Sequence, residues 1–179
     1  IAAFALGPGA WHALALRADG SVADWGYASY GLTNAPVRAS NVVAVAAGSQ
    51  HALALRGDGT VVGWGNNNYG QTAIPTSATN VAAIACGWNH NLALRADGRL
   101  MVWGDGRLQQ KNIPTAATNI VAIACGGNHC LAVRTDGRTF AWGDNSYGQT
   151  ALPSWATNLA AIAGTSYGSL GLAAEGPPI

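Results

Sequence analysis

The sequence predicts an all-β fold built from repeated four-stranded antiparallel units, and three observations carry that prediction. The trio His, Trp-Gly and Pro recurs every 39 residues: His12, Trp25-Gly26 and Pro36; His51, Trp64-Gly65 and Pro75; His90, Trp103-Gly104 and Pro114; His129, Trp142-Gly143 and Pro153. Each copy holds two short apolar runs joined through Asp-Gly, at Asp19-Gly20, Asp58-Gly59, Asp97-Gly98 and Asp136-Gly137. Asp-Gly between alternating runs is a strong hairpin signal, since both residues tolerate positive φ. No window of helical length shows a 3.6-residue period. A fixed period of this size, free of insertions, marks a repeat architecture. Four strands per roughly 40 residues is the arithmetic of a β-propeller blade.

The copies run 3–41, 42–80, 81–119 and 120–158, followed by a half copy at 159–176, so that 1–179 reads as a single repeat domain. Within a copy, segment A (VVAVAA, VAAIAC, IVAIAC) is a short run rich in β-branched residues that ends at Gly48, Gly87 or Gly126. One position of A is large (Val45, Ile84, Ile123, Ile162) between flanking alanines, so one strand face is bulky and the other nearly flat. Segment B (HALALR, HNLALR, HCLAVR) alternates with period two and ends in Asp-Gly. Segment C (TVVGWG, RLMVWG, RTFAWG) carries the Trp, a large apolar surface for a blade-to-blade contact. A polar Gly/Asn loop leads to segment D (QTAIP, QKNIP, QTALP), and Ala-Thr-Asn turns into the next A. The tail Gly176-Pro177-Pro178-Ile179 reads as a terminator. The start at Ile1 rather than Met predicts a processed protein or an excised fragment.

Of the 179 residues only 9% are charged, and the net charge is +1. Binding nucleic acid needs a Lys/Arg surplus to neutralise phosphates, so that class of partner is excluded. The charges stand singly, and no apolar stretch reaches about 18 residues, so membrane insertion is excluded too. Three cysteines fit no disulfide framework. Cys86 and Cys125 occupy equivalent places and read as small buried thiols, although Cys125 and Cys130 flank a four-residue turn across which one local disulfide could close.

No cofactor is predicted, and no metal. His12, His51, His90 and His129 each open segment B, but equivalent positions on neighbouring blades are separated by about 10 Å, whereas zinc needs ligands about 2 Å from one point. A repeated hydrogen bond from imidazole to nearby backbone accounts for one His per copy. Asp105 and Asp144 follow Trp-Gly in two copies, and a hydrolase would use such a carboxylate pair. Tyr27 and Asn66 at the same place point instead to a turn position. Arg17, Arg56, Arg95 and Arg134, two residues before each Asp, read as structural partners of the hairpin.

The pattern G-x-x-H-x-L-A-L-R-x-D-G…W-G-x-N-x-Y-G-Q, nearly complete over 48–71 and returning at 126–149, resembles the repeat of the regulator-of-chromosome-condensation family. The compact copy looks most like bacterial propellers of that superfamily, a group that includes a secreted β-lactamase inhibitory protein with seven blades. The resemblance implies a propeller used as a non-catalytic binding scaffold, extracellular or at the cell surface. The eukaryotic exchange factor of the family carries insertions, including a wedge, for which a chain with one repeat length has no counterpart. Four and a half copies do not make seven blades, so a piece of a longer propeller, able to self-associate through its open blade edges, is expected.

In an A-B-C-D meander the AB and CD loops emerge at one end and the BC and DA turns at the other. The BC/DA end is nearly uniform, while the AB and CD loops differ from copy to copy, and loops on a rigid scaffold are where binding residues concentrate. Candidate binding residues on that face are the aromatics Trp11, Tyr27, Trp88 and Tyr167. Between them lie Gln50, Asn67, Asn89, Asn128 and Arg107. Aromatic anchors with adaptable amides suit a protein partner, and a glycan is the alternative.

Overall fold

Alternation of large and small side chains lets segments A and B bury one face each as extended chain, and Gly after Asp sets where the chain reverses. In the computed structural model, which describes residues 1–173, these segments form β1 (Ala3–Ala5), β2 (His12–Leu16) and β3 (Val22–Gly26), then β4 (Val42–Ala47), β5 (His51–Arg56) and β6 (Val61–Gly65). The next sheets are β7 (Val81–Cys86), β8 (His90–Arg95) and β9 (Leu100–Gly104), then β10 (Ile120–Cys125), β11 (His129–Arg134) and β12 (Thr139–Gly143). The half repeat supplies β13 (Leu159–Gly164) and β14 (Ser169–Ala173). Each complete copy is a three-stranded antiparallel meander, and the half copy is a two-stranded one. The end of the half copy at 176 and the terminal tail lie outside the described residues.

Segment D packs without pairing. It forms no ladder among the described residues, and the one bridge nearby, Arg138 with Thr157, lies in the Ala-Thr-Asn turn that follows it. Its proline lacks a backbone donor, and the chain turns there instead, with the Ala78, Ala117 and Ala156 amides donating to the Pro75, Pro114 and Pro153 carbonyls. Ile74 and Ala78 still join the apolar cluster of their blade.

The hairpin chemistry differs in one respect from the sequence argument. Only the glycine of Asp-Gly takes positive φ, 77° at Gly20, Gly59 and Gly98 and 82° at Gly137. The aspartate works through its side chain: Oδ1 of Asp19, Asp58, Asp97 and Asp136 accepts the amide two residues on. With Gly59 N–H on the Arg56 carbonyl and Arg56 N–H on Thr60, the loop is a turn closed by a glycine bulge. Asn41, Asn80, Asn119 and Asn158, which close each copy, are left-handed at φ 53°, a conformation asparagine tolerates.

The cores lie between sheets. Leu53 and Leu55 of β5 share a cluster with Val81, Ala93 and Trp103 of the following blade. Leu92 and Leu94 do the same with Ile120, Ala132 and Trp142. The leucine face of one blade thus meets the alanine face of the next, which lets the sheets close up without voids. Each buried tryptophan also ties backward: Nε1 of Trp64, Trp103 and Trp142 donates to the carbonyls of Leu32, Gln71 and Gln110, at 3.0, 3.1 and 2.8 Å. Trp25, with no described sheet before it, is 48% exposed. The A segments of all five copies line one cavity of about 270 Å³, so the blades radiate from a common axis.

Candidate functional site

The uniform end of the molecule is held by backbone. Val42, Val81 and Ile120 amides donate to the glycine carbonyls of the preceding Asp-Gly loop, Gly20, Gly59 and Gly98. Arg56, Arg95 and Arg134 pair with Asp58, Asp97 and Asp136 of their own hairpins. Arg17 instead donates to Ser21 Oγ, so each periodic arginine is committed to its own hairpin.

At the other end the AB loops form a chain of their own. Trp11 N–H donates to Ser49 O, Ser49 N–H to Trp88 O, Trp88 N–H to Gly127 O, and Gly127 N–H to Thr165 O. Each CD loop is then hung on the AB loop of its blade: the Tyr27, Asn66, Asp105 and Asp144 amides donate to the carbonyls of Trp11, Gln50, Asn89 and Asn128. Inside the CD loop, Oδ1 of Asn66, Asp105 and Asp144 accepts the amide two residues on. The buried Gln71, Gln110 and Gln149 accept the amides of Tyr69, Leu108 and Tyr147. This is the physical content of Asn-x-Tyr-Gly-Gln: the glutamine side chain folds its own loop, and at Gln71 and Gln110 the backbone carbonyl receives the next blade's Trp.

The nine candidate residues separate into two groups. The amides are largely engaged: Gln50 Oε1 accepts from Asn66, Asn67 Oδ1 accepts the Thr72 amide at 2.9 Å, and Asn89 and Asn128 accept from Gln71 and Gln110 at 3.5 Å. The aromatics are paired, and all but Trp88 are exposed. Trp11 and Tyr27 meet edge to face at 5.0 Å, both turned to solvent. Trp88 and Tyr167 meet at 5.3 Å, with Tyr147 a further 5.2 Å from Tyr167. Trp88 is half-buried over Gly9 and Gly127, where a β-carbon would crowd its ring. Trp11 and Trp88 border one open depression of about 290 Å³. Arg107 lies over the Tyr69 ring at 4.3 Å and on the Asp105 carboxylate at 2.8 Å.

Three exposed residues of this face escaped the sequence reading. Tyr30, Tyr69 and Tyr147 belong to the repeated framework, which read as structural, yet they stand 56%, 40% and 71% exposed. The available signal was their place in a loop motif whose fold is made by the glutamine and asparagine, leaving the ring nothing to do inside.

Asp105 and Asp144 each accept an amide of their own CD loop. The Arg107 hydrogen bonds hold the Asp105 carboxyl below its usual range, and hydrogen bonds from Ser146 do the same for Asp144. A general acid needs the opposite shift.

The histidines bond across blades to side chains rather than to backbone. His51 Nε2 lies 2.7 Å from Asn91 Oδ1, His90 Nε2 3.3 Å from Cys130 Sγ, and His129 Nε2 3.0 Å from Ser169 Oγ. The partner is in each case 40 residues on, the second residue of the next segment B. Asn91 and Ser169 pass the contact to the carbonyls of Gln71 and Gln149. His12 meets Ala52 at that place, and both its ring nitrogens are buried without a partner. A β-carbon on Gly48, Gly87 or Gly126 would collide with the ring of His51, His90 or His129, which explains Gly-x-x-His. Burial holds His12, His51 and His129 below the ordinary imidazole range, His51 down to about 4.

All three cysteines are free and buried. Cys125 and Cys130 are direct cross-strand partners, Sγ to Sγ 3.9 Å. Burial pushes the Cys125 thiol up, but hydrogen bonds from Cys130 and His90 outweigh it and hold the thiol below its usual range. Cys130 is pushed up by burial and by its neighbour.

Antiparallel sheets radiating from an axis, with loops of variable sequence gathered at one end, define a repeat protein of the β-propeller class. The Regulator of chromosome condensation (RCC1) repeat matches residues 42–71, 81–110 and 120–149, together half of the chain, and the protein belongs to that family. No curated protein matches it by sequence. Among solved structures it is similar to Prp20p from Saccharomyces cerevisiae (TM-score 0.73, 22% identity), covering 94% of this chain and 56% of that one. It is also similar to the ectodomain of the Physcomitrella patens receptor kinase CR4 (TM-score 0.76, 22% identity, 94% and 49% covered). Human WBSCR16 matches over 74% of this chain and 44% of its own (TM-score 0.63, 26% identity). The chain thus spans about half the length of the structures it resembles. Among the described residues no helix is long and apolar enough to cross a membrane.

Proposed function

We propose that this chain is a non-catalytic protein-binding scaffold that engages its partner through the AB/CD loop face, in an extracellular, bacterial setting. One observation carries the reading: on that face the polar side chains are largely spent on the loops themselves, while Trp11, Tyr27, Tyr147 and Tyr167 stand exposed in edge-to-face pairs. Rigid aromatic groups that lose little entropy on contact are what binding hot spots are made of. The solved relative Prp20p is described by its binding to Gsp1p and histones, which supports protein rather than small-molecule recognition for the fold. The depressed carboxyls of Asp105 and Asp144 support the absence of hydrolytic chemistry. The exposed apolar faces of the first and last sheets, with Phe4 and Leu6 at one and Leu170 and Leu172 at the other, support self-association as a second contact.

A photo-crosslinking residue placed at Tyr27 or Tyr167 tests this against one placed at Thr60, on the Asp-Gly end. Adducts with a protein from the native secretome are expected from the first two positions only, and the double change Trp11→Ala and Tyr167→Ala should weaken binding by tenfold or more, taking about 1.4 kcal/mol per decade. Adducts mainly from Thr60, or binding confined to a glycan array, would defeat it.

A further inference from the structure

We propose that His90, Cys125 and Cys130 form a buried site for one thiophilic closed-shell cation, Zn2+ or Cu+, clamped between the third and fourth blades. The three side chains come from separate strands, His90 from β8, Cys125 from β10 and Cys130 from β11. Their ligand atoms lie within 4.8 Å of one another, and all three residues are buried. Around a tetrahedral zinc, with Zn–S about 2.3 Å and Zn–N about 2.0 Å, two sulfurs stand about 3.8 Å apart and a sulfur and a nitrogen about 3.5 Å. The thiols here stand 3.9 Å apart, and His90 Nε2 is 3.3 Å from Cys130 Sγ. A cation therefore fits with small movements of side chains already in place.

Donor type narrows the choice of ion. Two sulfurs and an imidazole favour soft or borderline metals over Mg2+ or Ca2+. Two thiolates and a neutral ring also bring Zn2+ into a buried site with no net charge, which removes the main cost of burying ions. Among the described residues no further His, Cys, Asp or Glu joins the group. A three-donor set suits Cu+ as it stands, and Zn2+ with a water in fourth place. Access is provided by the axial cavity, which Cys125 lines directly.

The molecule carries its own control one blade earlier. His51, Cys86 and Asn91 hold the equivalent positions, with Asn91 Oδ1 2.7 Å from His51 Nε2 and 3.2 Å from Cys86 Sγ. The constellation is the same, but an amide oxygen stands where the fourth blade has a second thiol. The blade-to-blade bond is satisfied by Asn, Ser or Cys alike, so the bond alone does not call for sulfur at both 125 and 130.

The test is metal titration of the reduced, metal-stripped chain. Zn2+ competed against a chromophoric chelator, and Cu+ against bicinchoninate, decide which ion is held. Wild-type protein should bind one equivalent of one of them, and Co2+ in place of zinc should give thiolate-to-cobalt charge-transfer absorption. At a free ion concentration a hundredfold above its Kd, Tm should rise by roughly 5–10 °C. Cys125→Ala and Cys130→Ser should each abolish binding. Both introduce residues already present at the same place in other copies (Ala47, Ser169), so the fold is kept, as circular dichroism will verify. Cys86→Ala should leave one equivalent, and Asn91→Cys should raise it to two. Binding that survives Cys125→Ala or Cys130→Ser, no stoichiometric binding of either ion, or a Cys125–Cys130 disulfide persisting through purification in reductant overturns the proposal.

Discussion

Lowering pH from 7.5 to 5 should destabilise this protein by roughly 2 kcal/mol through His51 alone. The ring is fully buried against Gly48, and this burial holds it neutral even though its Nε2–H bond to Asn91 favours the charged form. Burial puts its folded pKa at about 4 against 6.5 for a free imidazole. In that interval the unfolded chain binds a proton that the folded chain does not, so stability is full above pH 6.5, falls as pH drops towards 4, and then levels. A gap of about 2.5 units is worth roughly 3 kcal/mol in all, with about 2 of it lost by pH 5. His12 and His129 shift the same way and steepen the slope. The carboxyls of Asp58, Asp105 and Asp136, held low by their hydrogen bonds, stabilise the fold down to about pH 4 and leave this window untouched. Urea unfolding at half-unit pH steps, read as midpoints at constant m, measures the effect. His51→Gln should remove about one proton from the slope between pH 5 and 6.5. Midpoints that stay flat from pH 7.5 to 5, or a slope indifferent to His51→Gln, would refute the reasoning.

Two further outcomes follow from the interblade contacts. Trp103→Phe deletes the Nε1–H donor to Gln71 O while most of the ring remains, and should cost about 1 kcal/mol by thermal unfolding, since Asn91 Nδ2 still serves that carbonyl. Ala52→Ser should stabilise by about 1 kcal/mol, because it offers His12 the hydroxyl that Ser169 offers His129, with Leu32 O in the place of Gln149 O as acceptor.

Most of the framework was legible because a repeat states each rule several times. The strand pattern, the Asp-Gly reversals and the interblade tryptophans could be read from any one copy and checked against the others. What was not legible is instructive residue by residue. Segment D read as a strand, yet its proline turns the chain before a ladder can form. The histidine partner read as local backbone, yet it lies 40 residues away, a distance at which periodicity shows that two positions are equivalent but not that they touch. Tyr69 and Tyr147 read as framework because they recur, although recurrence can preserve an exposed ring as readily as a buried one. Asn67 and Asn128 read as adaptable amides of variable loops, and loop position carries no information about their bonds to Thr72 N–H and Gln110 Nε2.

Variation between copies therefore has two physical meanings in this fold. On the AB/CD face a change of side chain alters what solvent meets, and the chain of backbone bonds from Trp11 to Thr165 keeps the loops in place whatever they carry. At the second residue of segment B the change is buried, and at three of the four junctions the residue there accepts or shares the histidine proton, Ala52 being the exception. Asn91, Cys130 and Ser169 all do so, by oxygen or by sulfur, without moving a strand. One backbone geometry can thus host different chemistry at successive blade junctions. A residue that satisfies a structural bond at one junction becomes, with a second thiol opposite it, a ligand at another. Comparing copies for the bond alone would class Cys130 with Asn91; comparing them for donor softness separates the third–fourth junction from the rest.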